Sequence, residues 1–279
     1  MQVTLLGTGT PILDPARQQS AVLIQVGDQK LLFDAGRGVT TQLTRAGIQP
    51  QDINAVFITH HHYDHICDLG EWLLTAWHNG RVDLIGIYGP QGTRAIVNAL
   101  FEHVYARDIA FTLCTDANTI DIRNLVHTVD VAPGLVYETG ECKVLTQYVE
   151  HGNMLGLSRE DWPCLGYRIE AEGKSVVISG DTVACAGLDW LAWNTDCLIQ
   201  CCYLAEAELT NVENARLAQH IIASARQAGE IAMRNQVHRL VLTHIRPKPE
   251  AMMHALVEDV RVIYGGPVIV GEDLMVIRI

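Results

Sequence analysis

The sequence predicts an α/β fold, a four-layer αββα sandwich whose two similar halves pack sheet to sheet in one domain over residues 1–279. Three observations predict it. Short apolar runs rich in β-branched residues recur along the chain and alternate with stretches of helical periodicity. Two rounds of such strands end in polar loops, with no Gly/Ser linker or charge run between the rounds. A hydrophobic fraction of 48% against 19% charged residues supplies the apolar surface for a substantial core.

Met1 to Leu6 reads as a first strand, too short and uncharged for a secretory signal. In Gly7-Thr8-Gly9-Thr10-Pro11 the proline, with Pro15, keeps a helix from opening, so the turn borders a site and is not a dinucleotide cradle. Ala21–Val26 and Lys30–Phe33 form a hairpin through Gly27-Asp28 and run into the polar loop Asp34-Ala35-Gly36-Arg37-Gly38. Val39 to Ala46 is a short helix stopped by Gly47. Ala55 to Thr59 reads as a buried strand that delivers His60-His61-His62-Tyr63-Asp64-His65. Leu69–His78 is helical, Ile85–Tyr88 a strand and Gly92–Tyr105 a helix with a polar face; Asp108–Gly134 is mixed and stays unassigned. Cys142–Val149 is a strand ending on Glu150-His151. Leu165–Ile169 and Ser175–Ile178 form a second hairpin, ending at Ser179-Gly180-Asp181-Thr182. Cys197–Ile199 is a strand, Ile222–Asn235 a helix, and Leu240–Leu242 a strand ending at Thr243-His244.

The histidine run is the chemical centre of the sequence. His60, His62, Asp64 and His65 are ligand types that Zn²⁺ takes, and they leave the C-terminal end of a strand, where open α/β sheets build their sites. In an extended segment alternate side chains share a face, so His60 and His62 can close on one ion. The turn that follows can aim Asp64 and His65 at a second. His61 falls on the other face and is read as packing. His151, Asp181 and His244 add lone ligand-type residues at three further strand ends. Two ions roughly 3.5–4 Å apart acidify a shared water toward a pKa of about 7, giving a hydroxide nucleophile without serine or cysteine. A structural zinc site would instead be closed and rich in cysteine.

These motifs resemble the metallo-β-lactamase superfamily, whose H-x-H-x-D-H pattern is spelled by His60, His62, Asp64 and His65. The resemblance runs from the Gly7–Thr10 loop to His244. It implies a metallo-β-lactamase-type sandwich binding two Zn²⁺ per chain, one held by His60, His62 and His151 and one by Asp64, His65 and His244, with Asp181 bridging. Asp34 would stand behind them, bonded to the histidine loop. Asp64, Asp181 and His220 would serve catalysis. Diiron redox relatives usually replace the residue at His62 by an acid and carry a flavin domain, so a hydrolase is expected. A metal-binding sensor or scaffold with the same ligands is the non-enzymatic alternative.

Within the superfamily, Leu6–Pro11, the Asp34–Gly38 loop and His220 are similar to the ribonuclease Z-like group. The chain departs from its tRNA enzymes where they carry a His-Glu pair, here Gln200-Cys201, and after the last metal histidine, here Ile245-Arg246-Pro247. Tyr105 to Val144 is short for an RNA-gripping arm, and a formal charge of −12 disfavours phosphate-rich partners. The expectation is a small, partly apolar electrophile and no nucleic acid. An isothiocyanate leads, followed by an aryl sulfate or phosphodiester and then a tRNA 3′ end. Arg37, Trp72, Met154 and Arg246 are candidate substrate contacts, with Trp77, Leu155 and Trp162 as further apolar walls. Eight cysteines without paired spacing read as reduced, mostly buried residues of a cytosolic protein, and Cys67 as one of them. No apolar run reaches membrane-spanning length. The Trp72–Trp77 helix suggests a homodimer contact.

Overall fold

Successive side chains of a strand leave on opposite faces, and in this chain both faces are apolar. In Ala21–Val26, Val22, Ile24 and Val26 enter one buried cluster while Ala21 and Leu23 enter another. In Lys174–Ile178, Val176 and Ile178 join the first cluster and Val177 a third. Three apolar layers therefore separate two sheets and two sets of helices, as the αββα reading expects. The structure, a computed structural model, describes residues 1–116 and 119–279 and their side chains except that of Met154.

Strands β1 (Gln2–Gly7), β2 (Ala21–Val26), β3 (Gln29–Phe33), β4 (Ala55–Phe57), β5 (Ile85–Gly89) and β6 (Val126–Asp130) build the first sheet. The second holds β7 (Gly134–Glu138), β8 (Lys143–Tyr148), β9 (Leu165–Ala171), β10 (Lys174–Ile178), β11 (Cys197–Cys201), β12 (Leu240–Thr243) and β13 (Val268–Val270). A last strand, β14 (Met275–Arg278), returns to the first sheet beside β1. The orders are β14-β1-β2-β3-β4-β5-β6 and β13-β12-β11-β10-β9-β8-β7. Each sheet passes from antiparallel to parallel pairing, at β3/β4 and at β10/β11. Helices α1 (Val39–Arg45), α2 (Tyr63–Ile66), α3 (Leu69–His78), α4 (Thr93–Ala99) and α5 (Ala106–Thr115) belong to the first half. Helices α6 (Ala186–Ala192), α7 (Val212–His220), α8 (Ala225–Arg234) and α9 (Glu250–Arg261) belong to the second.

Several elements differ from the sequence reading for local reasons. The helix expected over 92–105 is α4 followed by a π-helical turn at Leu100–Val104. The unassigned 108–134 stretch holds the C-terminal part of α5, and β6, whose pattern is too mixed to read because it is an edge strand. The helix expected from Ile222 begins at Ala225, because Ser224 and Gln227 form a reciprocal capping box that fixes the start. Helix α7 is separate and capped by the Asn211 side chain. Cys67 and Cys114 are exposed, contrary to the expectation of buried thiols for Cys67, and all eight cysteines are free.

The apolar face of α3 packs inward. Trp72 is 0% exposed and Trp77 only 4%, both in the outer core of the first half. Trp72 is therefore corrected from a substrate contact to a core residue. The ground for a homodimer at this helix is gone as well, since its tryptophans are spent on the chain's own core.

Between the sheets Phe33 stacks on Phe57 at 4.8 Å, Phe57 stacks on Tyr88 at 5.2 Å, and Tyr167 meets Phe57 edge-on at 5.6 Å. The Tyr167 hydroxyl donates to the Ile58 carbonyl at 2.7 Å, and the Leu165 N–H donates to the Thr59 carbonyl at 2.8 Å. These two bonds tie the second sheet to the segment that delivers the histidines. Tyr167→Phe leaves a buried carbonyl without its donor and is expected to cost about 1–3 kcal/mol, read as a lower urea midpoint at unchanged slope.

Candidate metal centre

The ligand-type residues leave the ends of β4, β8, β10 and β12, so both sheets contribute to one cleft. Their side chains gather in two groups. His60, His62, His151 and Asp181 form one, and Asp64, His65 and His244 the other, with the donor atoms of each group lying within 4.8 Å of one another. Asp181 stands between the groups: its carboxylate is 3.9 Å from His151 Nε2, 3.7 Å from His65 Nε2 and 3.4 Å from His244 Nε2. Only His62 is exposed.

The residues behind this cluster decide which ring nitrogen faces it. His151 Nδ1 lies 2.6 Å from the Ile221 carbonyl, which can only accept, so Nδ1 carries the proton and Nε2 faces inward. His65 Nδ1 is 2.7 Å from Asp34 Oδ2, which turns its Nε2 inward too. Thr59 Oγ1 donates to Asp34 Oδ2 at 2.9 Å and so accepts from His60 Nδ1 at 3.0 Å. Three imidazoles are thus oriented by a carbonyl, a carboxylate and a hydroxyl relay, the outer bonds that metal-ligating histidines usually make.

That arrangement fits a cation. The Nε2 atoms of His60 and His151 approach His62 Nδ1 at 3.0 and 3.1 Å. At most one proton, on His62, can serve both contacts, whereas nitrogens about 2.0–2.1 Å from a shared tetrahedral ion would lie at nearly this spacing. His65 Nε2 and Asp181 Oδ1 are buried with no hydrogen-bond partner. Burial, then His65 and its other histidine neighbours, holds His60 well below the ordinary imidazole range. Burial and His151 push His62 down to about 4, and burial lowers His151. Burial also opposes charge on Asp181 and Asp64. It is outweighed by His244, His65 and His151 at the first and by the bond and charge of His244 and the charge of His65 at the second, so both stay below the usual carboxylate range. His65 is the exception: burial disfavours its cation, but Asp34, Asp181 and Asp64 raise it to about 9. Neutral imidazoles beside ionised carboxylates are what a divalent ion needs.

A cavity of about 170 Å³ opens onto both groups, lined among others by Thr10, Ile12, Tyr203, Leu217, Ile221 and Arg246. Arg246 stacks over the Tyr203 ring at 3.9 Å, and Lys248, almost fully buried behind it, bonds the Tyr203 carbonyl and Glu208. Of the candidate substrate contacts, Arg246 lines this cavity. Arg37 does not: its backbone pairs with Gln19 behind the site. The Met154 side chain lies outside the described residues. His220 ends α7, its carbonyl accepting from Gly152 N, and its ring is not among the cavity walls. His61 bonds Thr93 Oγ1 at 2.8 Å, in keeping with its packing reading. Sequence reasoning missed Tyr203, although it follows the end of β11 just as the ligand residues follow their strands.

The fold and this centre define a metal-dependent hydrolase of the metallo-β-lactamase fold. The chain belongs to the beta-lactamase superfamily domain family, whose sequence model matches residues 29–245. It is 32% identical to the ribonuclease Z of Mycobacterium bovis (strain BCG / Pasteur 1173P2) over 98% of this chain and 96% of that protein. The short form of human tRNase Z superposes with a TM-score of 0.73 at 25% identity, covering 100% of this chain and 99% of that one. The metallo-beta-lactamase fold protein YhfI from Bacillus subtilis reaches 0.75 at 20% identity, over 99% and 98% of the two chains, a likeness of fold.

These relatives overturn the expectation of a small-molecule substrate without nucleic-acid partners. Proteins named for action on RNA match this chain end to end. The expectation failed because a net charge of −12 sums the whole surface and says nothing of the cleft, where Arg246 and bound cations would set the field. Nothing in the comparisons supports an isothiocyanate. Among the described residues no helix is long and apolar enough to cross a membrane.

Asp34→Asn removes the anion that receives His65 and Thr59. It is expected to weaken metal binding about 10–100-fold, read by competition with a chromogenic chelator, with the unfolding midpoint of the metal-free protein as control.

Proposed function

We propose that this chain is a zinc-dependent phosphodiesterase that cleaves RNA, with transfer-RNA precursors as its substrate class. The observation that carries the reading is the paired His/Asp cluster in a chain that aligns over nearly its full length with proteins named ribonuclease Z. His60, His62 and His151 would hold one zinc, Asp64, His65 and His244 a second, and Asp181 both. This nitrogen-rich set with shared carboxylates suits zinc, and the absence of cysteine from both groups suits a catalytic site over a closed structural one. When bound, two such ions lower the pKa of water and neutralise charge on a phosphoryl group.

Hydrolysis puts the water oxygen on phosphorus, breaks one ester P–O bond and gives a proton to the departing oxygen. The chain's own contribution is placement. Arg246 has no carboxylate partner among the described residues and, held flat by Tyr203, presents its guanidinium to an anion in the cavity. Leu217, Ile221 and Ile222 add apolar surface to the cavity wall. The proposal assigns no step to His220.

The missing RNA-gripping arm does not argue against this reading, because a ribonuclease Z covered over 96% of its own length has no room for a long one either. Gln200 and Cys201, which replace the His-Glu pair, are buried in β11, where the Gln200 amide donates to the Cys201 carbonyl. The Cys201 thiol bonds the Asp181 carboxylate, so this position still supports the residue between the two ligand groups. Residues 1–279 are read as one hydrolase domain, a reading supported by β14 closing the first sheet beside β1.

Incubation of a 3′-extended transfer-RNA precursor with the zinc-loaded chain is expected to release a shortened RNA, and a chelator should abolish it until zinc is restored. An intact precursor beside full zinc content would overturn the substrate class. Arg246→Ala is expected to raise KM for the RNA about 10–100-fold with metal content unchanged; a wild-type KM would remove the arginine from the site.

A further inference from the structure

A second cavity, of about 250 Å³, shares His62, His151 and Ile221 with the first and extends away from Arg246 between Gly152, Leu155, Leu157 and Trp162. No ionised side chain lines its far wall. Leu155 and Leu157 are 41% and 48% exposed, so this wall is apolar surface left open beside a polar centre. The Trp162 ring lies against His62, centroids 4.7 Å apart and tilted by 51°.

The loop that carries the tryptophan is built in place. Asn153 accepts from the His151 N–H at 3.1 Å and donates to the Trp162 carbonyl at 2.9 Å, so one amide ties the backbone at Trp162 to the backbone at His151. Arg159 bonds Glu150 at 2.5 Å, and Ser158 bonds Asp161 at 2.7 Å. Two subsites thus flank His62 and His151: a cationic one at Arg246 and an aromatic, uncharged one at Trp162.

We infer that the Trp162 cavity receives one nucleobase adjacent to the phosphodiester being cleaved, which makes Trp162 a substrate-binding residue that positions the RNA. The inference rests on the RNA reading above and adds a base subsite to it. Its chemistry is that of single-stranded RNA recognition: the phosphate goes to a cation, and the unpaired base presents its flat face to an aromatic and its edge to solvent.

The test is a double-substitution cycle on the zinc-loaded full chain, with a model RNA carrying an abasic residue in turn on each side of the scissile bond. At one of the two positions the missing base is expected to raise KM about 5–100-fold. Trp162→Ala is expected to raise KM for the intact RNA by a similar factor, and the two losses are expected not to add. Trp162→Phe, which keeps an aromatic face, should recover most of the loss, and anisotropy of a labelled product strand should report the same pattern in binding. Zinc content is measured for each variant. Additive losses, a wild-type KM for Trp162→Ala, or lost zinc in that variant would overturn the subsite. RNA cleaved without regard to the missing base sinks this inference alone. An RNA never cleaved by the wild-type chain sinks the ribonuclease reading and the base subsite with it.

Discussion

The site depends on one buried carboxylate. Asp34 accepts the Thr59 N–H at 2.8 Å, the Thr59 hydroxyl at 2.9 Å and His65 Nδ1 at 2.7 Å, while its own N–H donates to Phe57 across the sheet. Three donors from the histidine segment thus converge on a residue at the end of the neighbouring strand. To point its side chain there, Asp34 adopts a left-handed backbone with φ of 59°, a conformation of low population for a non-glycine residue that the surrounding bonds hold in place. The two loops also touch. A Cβ on Gly36 would lie 2.3 Å from the Asp64 carbonyl, so only glycine lets the strand-end loop pass so near. His244, a ligand-type residue on the far side, is left-handed as well, with φ of 60°.

Such a centre is costly to the chain that builds it. Asp34, Asp64 and Asp181 are all at least 95% shielded from solvent, and buried carboxylates are tolerated only with charge and hydrogen bonds around them. Within the chain, Asp34, Asp181 and Asp64 draw His65 toward its charged form against the cost of burial. Divalent cations would relieve the same imbalance more fully, and in that sense the site is organised for ions before any arrive. The aromatic stack of Phe33, Phe57 and Tyr88 under the strand ends supplies apolar burial close to where the polar centre costs most.

What the sequence made legible follows from period and position. Buried strands are short and rich in Val, Ile and Phe, and a ligand-type residue after each is visible without any fold, which is how His60, His151, Asp181 and His244 could be gathered. Features set by tertiary pairing were not legible. Strand β14 is readable only once β1 offers it an edge, and Tyr203 becomes a site residue because Arg246 stacks on it. Trp72 was misread for the converse reason. Nearness to the histidine run in sequence suggested the cleft, but the period of α3 turns that face into the core.

The acidic composition misled about partner class, and the reason bears on how such a protein would hold RNA at all. The long-range field of a chain of formal charge −12 is unfavourable to a polyanion, so affinity must be gathered at short range. The cleft offers the means in a small space: Arg246 held flat on Tyr203, two carboxylate-bearing groups that become cationic when loaded, and an open apolar wall at Leu155, Leu157 and Trp162. Stacking is insensitive to salt and to the sign of the surface, whereas a phosphate seated among cations gains most where water is excluded. On the ribonuclease reading proposed above, such a site would hold a few nucleotides beside the bond being cleaved.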